Sequence, residues 1–358
     1  MALILGIESS CDETAAAIVR DGREVLAGVV ASQIEKHAPH GGVVPELAAR
    51  EHLKALVPVT SAALREADVD MTDIDAVAVT CGPGLIPALL VGLNYAKGLA
   101  MGHGKPLIAV NHFMAHIYGA FLDGDDILLS QKETYPLLAM VVSGGHTSLV
   151  LVDETGNARQ LGCTIDDAAG EALDKGAKLL DLGYPGGPAI QKAAAGGDRD
   201  AFAFPRPLTG SAGKALAPEL RYSFSFSGIK TALLYHVRKH STDGQFDSAL
   251  LADTAASYQF AVVDTLVRKA LLAAKENHVR TLVVAGGVAC NQLLRDELKK
   301  RLPGNIRLQI AKPKYCTDNA AMVAGIGGCH FARKEFAGFG IDAFARLPKF
   351  VHVPFVGK

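Results

Sequence analysis

The chain has 358 residues, of which 49% are hydrophobic, so it can bury a core large enough for two domains. Its 36 basic and 37 acidic side chains nearly cancel, which excludes the overall basic surface of many nucleic-acid-binding proteins. Its six cysteines include no Cys-x-x-Cys pair, and no segment has the length and apolarity of a membrane span. We therefore predict a cytoplasmic protein with reduced thiols and no membrane association.

The first part of the chain is predicted to alternate strands and helices. Apolar runs bounded by turns predict strands at residues 3–7, 15–19, 24–32, 75–80 and 106–110. Helical periodicity predicts helices at 46–67 and 85–101, the first of which begins after Pro45. A further helix follows the strand at 106–110.

The second part repeats this pattern. Strands are predicted at 135–142, 148–152, 158–163, 281–285 and 306–310, and helices at 167–182, 248–277, 291–301 and from 318 onwards. Each half thus reads as three strands, a helix, a strand and a helix, which is a duplication of topology without repeated sequence. We predict a duplicated α/β fold with one half at 1–131, the other at 132–335 and a tail at 336–358.

Two histidines four residues apart, His112 and His116, follow the strand at 106–110. Residues at this spacing lie on one face of a helix about one turn apart, so both imidazoles can reach one metal ion. Asp318, far along the chain, is the candidate third ligand, and this ligand set suits Fe(II) or Zn(II). Phe113 occupies the position of the glutamate in His-Glu-x-x-His, which disfavours a zinc protease. The alternative is an ordinary pair of surface or capping histidines.

Polar turns at 8–14 and 143–147 follow the first strand of each half. Backbone N–H groups in such turns bind anions, and we predict that the two turns face each other and clamp a phosphate. Two ordinary hairpin turns are the alternative. Asp12, in the first turn, is a candidate to hold a metal or to orient a phosphate, and its alternative role is to cap the turn.

Two glycine-rich turns in the second half are candidate nucleotide contacts. Asp174 precedes the turn at 183–188 and is predicted to accept hydrogen bonds from ribose hydroxyls, the alternative being an exposed helix acid. The turn at 286–291 follows an apolar strand and begins a helix, which suits an adenosine pocket.

An insertion at about 198–240 is rich in Pro, Phe and Ser and carries seven Lys and Arg residues against three acids. Basic residues interleaved with aromatic ones are typical of surfaces that bind the RNA backbone. A solvated flap with an ordinary charge excess is the alternative. The basic residues are Arg199, Arg206, Lys214, Arg221, Lys230, Arg238 and Lys239.

Many of these motifs, in this order, resemble one known family. The matching segments are residues 5–14, 41–46, 82–84, 112–116, 143–147, 174–175, 184–188, 286–291 and 317–319. Together they resemble the TsaD/Gcp family of tRNA threonylcarbamoyladenosine transferases, and the likeness extends from about residue 3 to 332. The segment at 225–231 resembles the bacterial and organellar branch of this family. The tail after Arg333 carries less of the pattern.

The resemblance implies an actin/Hsp70/sugar-kinase (ASKHA) fold with two domains and a cleft between them. It implies one divalent metal ion per subunit, Fe2+ first and Zn2+ as the alternative, held by His112, His116 and Asp318. It implies catalytic roles for Asp12, His112 and His116. The residues implied to bind threonylcarbamoyl-AMP are Val141, Val142, Ser143, Gly144, Gly145, Asp174, Gly187 and Asn291.

The implied reaction transfers the threonylcarbamoyl group from threonylcarbamoyl-AMP to tRNA. The acceptor is the N6 amine of the adenosine 3′-adjacent to the anticodon, in tRNAs that read codons beginning with A, and AMP leaves. The implied partners are tRNA, a catalytically silent TsaB-type paralogue and a small TsaE-type ATPase.

Two other functions remain open from the residues alone. A small-molecule kinase of the same fold would need a carboxylate base and Mg2+, and it would have no use for His112 and His116. A non-enzymatic nucleotide switch of Hsp70 type is disfavoured because no peptide-binding C-terminal domain is evident. The metal content of the purified protein separates the first of these from the transferase.

Overall fold

The structure is a computed structural model that describes residues 1–123, 125–210, 216–240, 246–346 and 350–356. Its contacts divide the chain into two compact units. The first comprises Met1–Thr134, Asp153–Ala158 and Lys314–Lys358, and the second comprises Tyr135–Val152 and Arg159–Pro313. Among the described residues, no helix combines the length and the hydropathy that crossing a membrane requires. All six cysteines are described, and each is a free thiol.

The first unit is built on a mixed five-stranded sheet. Its strands are β1 (Leu3–Glu8), β2 (Glu13–Arg20), β3 (Glu24–Ser32), β4 (Ala76–Gly82) and β5 (Leu107–Asn111). They lie in the order β3-β2-β1-β4-β5, with β1, β2 and β3 antiparallel to one another in turn and β4 and β5 parallel to β1. The central strands β1 and β4 are buried almost throughout, which explains their nearly continuous apolar sequence.

Helices cover the sheet of the first unit. They are α1 (Ile34–His37), α2 (Pro45–Glu66), α3 (Ile86–Gly102) and α4 (His112–Gly119). Pro45 occupies the first turn of α2, where its missing N–H leaves no helical hydrogen bond unmade. The core between α2, α3 and the sheet includes Leu5, Ile18, Leu56, Val79 and Leu93, each at most 2% exposed. The predicted strands and the two long helices of this part are therefore confirmed, with ends that differ by one or two residues.

The second unit has a sheet of the same topology. Five of its strands are β6 (Leu137–Val142), β7 (Thr147–Val152), β8 (Asn157–Cys163), β9 (Thr281–Ala285) and β10 (Arg307–Ile310), in the order β10-β9-β6-β7-β8. Strand β11 (Phe350–His352) lies beside β8 and completes this six-stranded sheet. Read from β8, this order matches that of the first sheet, with β6 in the place of β1. β6 pairs antiparallel with β7 and parallel with β9, as β1 does with β2 and β4. The predicted duplication of topology is confirmed.

The helices of the second unit differ more from prediction. They are α5 (Ala169–Leu179), α6 (Gly186–Ala193), α7 (Ser227–His240), α8 (Ser248–Glu276) and α9 (Gln292–Arg301), followed by α10 (Pro313–Cys316) at the boundary of the units. The helix predicted at 167–182 is shorter because its first residues form a turn and Asp181 has a positive φ of 55°. Helices α6 and α7 lie where we predicted only a glycine-rich turn and an irregular insertion.

The last helix returns to the first unit. Helix α11 (Ala320–Ala332) is buried along most of its length and packs on β1 and β2. A Cβ atom on Gly6 of β1 would lie 2.4 Å from the carbonyl oxygen of Ala320, so only glycine permits this approach. The grouping of residues 314–335 with the first unit differs from the domain boundary that we predicted, because an apolar helix reveals its need for burial but not its partner sheet.

Candidate metal centre and nucleotide-binding turns

The two histidines lie at the start of α4, directly after β5. The side-chain oxygen of Asn111 accepts a hydrogen bond from the backbone N–H of Met114 at 3.2 Å, which fixes the beginning of this helix. His112 and His116 are both buried and lie one turn apart, with ring centroids 4.6 Å from each other. The predicted helical register is confirmed, because both imidazoles occupy the same face.

Asp318 lies next to the two histidines, although it is 202 positions from His116 in the sequence. It precedes Asn319, whose side chain accepts a hydrogen bond from the N–H of Met322 and caps α11. Its Oδ1 atom lies 3.0 Å from Nε2 of His116 and 3.5 Å from Nε2 of His112. One ligand atom from each of His112, His116 and Asp318 lies within 4.8 Å of the other two. The structure therefore brings these three residues into one group that can hold a metal ion.

Glu8 is a fourth member of this cluster that our sequence analysis did not assign. Its Oε2 atom lies 3.1 Å from Nδ1 of His112 and accepts a hydrogen bond from Thr80 Oγ1 at 2.6 Å. Its other oxygen, Oε1, accepts from the N–H of Ser10. A carboxylate behind a ligating histidine fixes the ring tautomer, so that Nε2 presents its lone pair to a metal. The signal available in the sequence was an acid that ends a strand of otherwise apolar residues.

The charged groups of this cluster shift the pKa values of one another. Burial lowers the pKa of His112, but the carboxylates of Asp318 and Glu8 outweigh burial and raise this pKa to about 10. Burial alone would raise the pKa of Asp318, yet His112 and His116 hold it well below its usual range. The pKa of Glu8 is likewise raised by burial and lowered more by His112. The cluster therefore favours a positive charge between the two carboxylates.

These residues fit a divalent cation. Among the described residues, the ion-pair partners of Glu8 and Asp318 are histidines only, and a buried carboxylate without a fixed cation is costly. The Nδ1 atom of His116 is buried, and within the described part of the chain it has no hydrogen-bond partner. Two imidazoles and one carboxylate are ligands that iron and zinc accept. This set of ligands is compatible with both metals.

Asp12 and Glu13 are not members of the group formed by His112, His116 and Asp318. Burial raises the pKa of Asp12, a hydrogen bond from Cys11 opposes this, and the charge of Asp318 adds to it. Burial also raises the pKa of Glu13, to about 7, although Ser32 donates a hydrogen bond to Oε1 of Glu13 at 2.9 Å. Asp12 is not among the three residues that converge on the candidate metal position. Its catalytic assignment therefore stays a prediction.

We expect Glu8→Gln to weaken metal binding about 10–100-fold, the range typical for outer partners of a ligating histidine. Glutamine keeps the shape and one acceptor oxygen but removes the charge that orients His112. The measurement is metal retention during a chelator titration, with Glu24→Gln as the matched exposed control. Equal retention by the two variants would contradict this role for Glu8.

In the second unit, the turn after β6 is held by its own backbone and by α5. The N–H of Ser143 donates to the carbonyl of His146 at 2.7 Å, and the N–H of Gly170 donates to the carbonyl of Ser143 at 3.2 Å. Gly144 and Gly145 are exposed, and no atom lies within 4 Å of a Cβ placed on either. A fixed turn with open space above its glycines can bind an anion through backbone N–H groups.

Asp174 contacts the glycine-rich turn that precedes α6. Its Oδ1 atom accepts a hydrogen bond from the N–H of Gly186 at 2.7 Å. A Cβ atom on Gly186 would lie 2.4 Å from Cα of Asp174, so the two segments touch through their backbones. Gly187 is half-buried next to Leu173. Asp174 therefore positions this turn, a role that the sequence analysis did not include.

The turn at 286–291 lies next to the turn at 143–147, because these turns follow the neighbouring strands β9 and β6. β9 lies parallel to β6, and a Cβ atom on Gly286 would lie 2.3 Å from the carbonyl oxygen of Val142. Gly286 also has a φ of 92°, which favours glycine. Asn291 caps α9 by accepting from the N–H of Leu294, and its Nδ2 donates to Gln259 at 2.9 Å. The turns at 143–147 and 286–291 therefore meet at the carboxyl ends of the neighbouring strands β6 and β9.

Most cations of the insertion that the structure describes pair with acids. Arg206 pairs with Asp264, Arg221 with Glu276 and Lys230 with Asp167, and Arg199 pairs with Glu297. Arg199 and Arg206 also lie over the ring of Phe260, at 4.3 and 5.2 Å from its centroid. Lys214 lies outside the described residues. These pairs leave less unpaired positive charge for RNA than the sequence suggested.

The strand order that the two sheets share defines an ASKHA-type protein, and the group of His112, His116 and Asp318 gives it a candidate metal site. The model of the TsaD family, tRNA N6-adenosine threonylcarbamoyltransferase, matches residues 24–325. A protein with this name from Caldicellulosiruptor saccharolyticus is 47% identical over 342 residues, covering 95% of this chain and 96% of that protein. One from Syntrophotalea carbinolica is 50% identical over 331 residues, covering 92% of each. The chain belongs to the TsaD family and is a transferase that modifies tRNA.

Solved structures support the fold. HypF from T. kodakarensis superposes with a TM-score of 0.59 at 14% identity, covering 93% of this chain and 48% of that one. The (R)-2-hydroxyglutaryl-CoA dehydratase component A of Acidaminococcus fermentans gives a TM-score of 0.52 at 16% identity, covering 91% and 97%. At these identities the likeness concerns the fold alone, and it confirms the predicted ASKHA-type architecture.

Proposed function

We propose that this protein transfers the threonylcarbamoyl group from threonylcarbamoyl-AMP to the N6 amine of the adenosine 3′-adjacent to the anticodon. The acceptors are tRNAs that read codons beginning with A. Membership of the TsaD family supports the reaction class, and the convergence of His112, His116 and Asp318 is the observation that carries the proposal for this chain.

The reaction makes one bond and breaks one. The N6 nitrogen attacks the carbamoyl carbon and forms the new C–N bond, while the bond from that carbon to the phosphate oxygen breaks. AMP leaves with the electron pair, and the amine loses a proton. Charge therefore develops on the carbonyl oxygen and on the departing phosphate, so groups that stabilise negative charge lower the barrier.

In this proposal the first unit supplies the metal ligands. His112, His116 and Asp318 would hold Fe2+ or Zn2+, which when bound acts as a Lewis acid towards a carbonyl or phosphoryl oxygen. Glu8 keeps His112 oriented through the contact of Oε2 with Nδ1. Asp12, next to this cluster, is proposed to act on the substrate rather than on the metal. Its carboxylate is half-buried, which suits a group that a substrate must reach.

The second unit is proposed to bind the adenylate. The backbone N–H groups of Gly144 and Gly145 would contact the phosphate, and Val141, Val142 and Ser143 form the strand end that carries them. Asp174 and Gly187 would contact the ribose. Asn291 uses one N–H and one lone pair of its amide within the protein, so the other N–H and lone pair can bind the base.

The proposed partners follow from the family. They are tRNA, a catalytically silent TsaB-type paralogue and a small TsaE-type ATPase, and the proposed compartment is the cytoplasm. The test is mass spectrometry of tRNA nucleosides after depletion of this protein, followed by re-expression of the wild type and of His116→Ala. We expect threonylcarbamoyladenosine to disappear and to return only with the wild type. An unchanged level after depletion would refute the proposal.

We expect Asp174→Asn to weaken adenylate binding by about 1.5–3 kcal/mol, the contribution of hydrogen bonds to a charged group. Asparagine keeps an acceptor for the N–H of Gly186, so the turn stays in place while the charge is lost. Calorimetry with a non-hydrolysable threonylcarbamoyl-adenylate analogue measures the change, and Asp181→Asn, at an exposed site after α5, serves as the control. Unchanged affinity would remove Asp174 from the ribose contact.

A further inference from the structure

One face of helix α7, in the insertion, is buried and packs against neighbouring elements such as α8. Ile229 and Leu233 are fully buried, and Nε2 of His236 lies 3.0 Å from Oγ1 of Thr254 on α8. The ring of His236 also packs edge-on against Phe202, with centroids 4.4 Å apart. These residues recur every three to four positions, so the rest of the helix presents a defined outer face.

The outer face of α7 combines an aromatic ring with two exposed cations. Thr231, Tyr235, Arg238 and Lys239 are all exposed, and Tyr235 is 63% exposed. Residues 227–240 contain no Asp or Glu. Neither Arg238 nor Lys239 has an ion pair within the described ranges, in contrast to Arg199, Arg206, Arg221 and Lys230. We refer to these four exposed residues as the α7 ridge.

We propose that the α7 ridge is a contact surface for tRNA. Tyr235 stacks on an unpaired base, and Arg238 and Lys239 neutralise phosphates on either side of it, which is how proteins hold single-stranded RNA segments. Charge complementarity favours RNA over a protein partner, because both charged residues of the ridge are basic while the chain as a whole has a formal charge of −1. The inference rests on the proposed function, which supplies tRNA as the substrate.

A purely structural role does not explain the whole ridge. Cations in the last turn of a helix stabilise its C-terminal dipole, and α9 has Lys299 and Lys300 at the same place for this reason. The dipole gives no reason for an exposed tyrosine one turn earlier. The α9 pair therefore provides a matched control, with the same charge, the same helical position and the same unit.

The test compares two double variants of the full chain, Arg238→Gln/Lys239→Gln and Lys299→Gln/Lys300→Gln. The affinity for unmodified tRNA is measured at several salt concentrations, without a threonylcarbamoyl donor. Loss of two phosphate contacts is expected to lower the slope of log affinity against log salt by about 1.4–1.8 in the α7 variant. The α9 variant is expected to keep the wild-type slope. An unchanged slope in the α7 variant, or an equal decrease in both, would overturn the proposal.

Tyr235→Leu tests stacking separately, because leucine keeps an apolar side chain but has no aromatic face. We expect tRNA affinity to fall about 5- to 100-fold with an unchanged salt slope. Wild-type affinity in a variant with a wild-type thermal melt would overturn the stacking role. Because these assays use tRNA without donor, the absence of group transfer would refute the proposed reaction and leave the RNA contact standing.

Discussion

Replacing His116 by alanine is expected to produce a folded protein that neither retains a metal ion nor transfers the threonylcarbamoyl group. His116 supplies one of three converging ligand atoms, so its loss should weaken metal binding by more than about 100-fold, beyond the effect of an outer partner. The cap of α4 by Asn111 does not involve this side chain, so the helix should persist. Elemental analysis after dialysis measures the metal, and transfer to tRNA measures activity.

The control for this variant is His103→Ala, at an exposed position after α3. It removes an imidazole of the same kind without touching the cluster, so metal content and transfer should equal those of the wild type. Full metal content and full activity in His116→Ala would exclude the histidine pair as the metal site. Loss of metal with full activity would separate the metal from the reaction.

Replacing Gly286 by alanine is expected to destabilise the second unit by about 2–5 kcal/mol, the sum of backbone strain and overpacking. The φ of 92° at this position is unfavourable for a residue with a side chain. The added Cβ would also lie 2.3 Å from the carbonyl oxygen of Val142, where no flexible side chain can give way. The turn at 143–147 should shift as a consequence, and adenylate binding should be lost with it.

Urea unfolding followed by circular dichroism measures this effect. Gly304→Ala is the matched control, because Gly304 lies in the same unit, is exposed, and has no atom within 4 Å of an added Cβ. The control should unfold at the wild-type midpoint. If the two variants unfolded at the same urea concentration, the close approach of β6 and the Gly286 turn would not be a constraint on stability.

The elements that the sequence predicted well are those whose pattern has a single physical explanation. The run at β1 is apolar at nearly every position because this strand is buried, and the same holds for β4 and β9. The spacing of His112 and His116 places them on one helix face in any α-helix. The pairing of these histidines with Asp318 has no local sequence signal, because helix α10 separates Asp318 from β10 and β10 lies in a different sheet from β5.

The features that were not predicted depend on contacts between distant residues. Arg221 pairs with Glu276, 55 positions away, and Lys230 with Asp167, 63 positions away. A count of charges within the insertion does not include these distant acids. The sequence therefore indicated a more basic surface than the folded insertion has. Glu8 was missed for the same reason, because its role depends on His112, 104 positions further on. Tertiary placement, which periodicity does not encode, decides which charges remain unpaired.

The return of α11 to the first unit has a consequence for how the protein is made. His116 and Asp318 are 202 positions apart, and the whole second unit is synthesised between them. A nascent chain on the ribosome therefore carries two of the three ligands for most of its synthesis and gains the carboxylate only near the end. A polypeptide that terminates before residue 318 lacks one of the three proposed metal ligands, so we expect it not to assemble the candidate metal site.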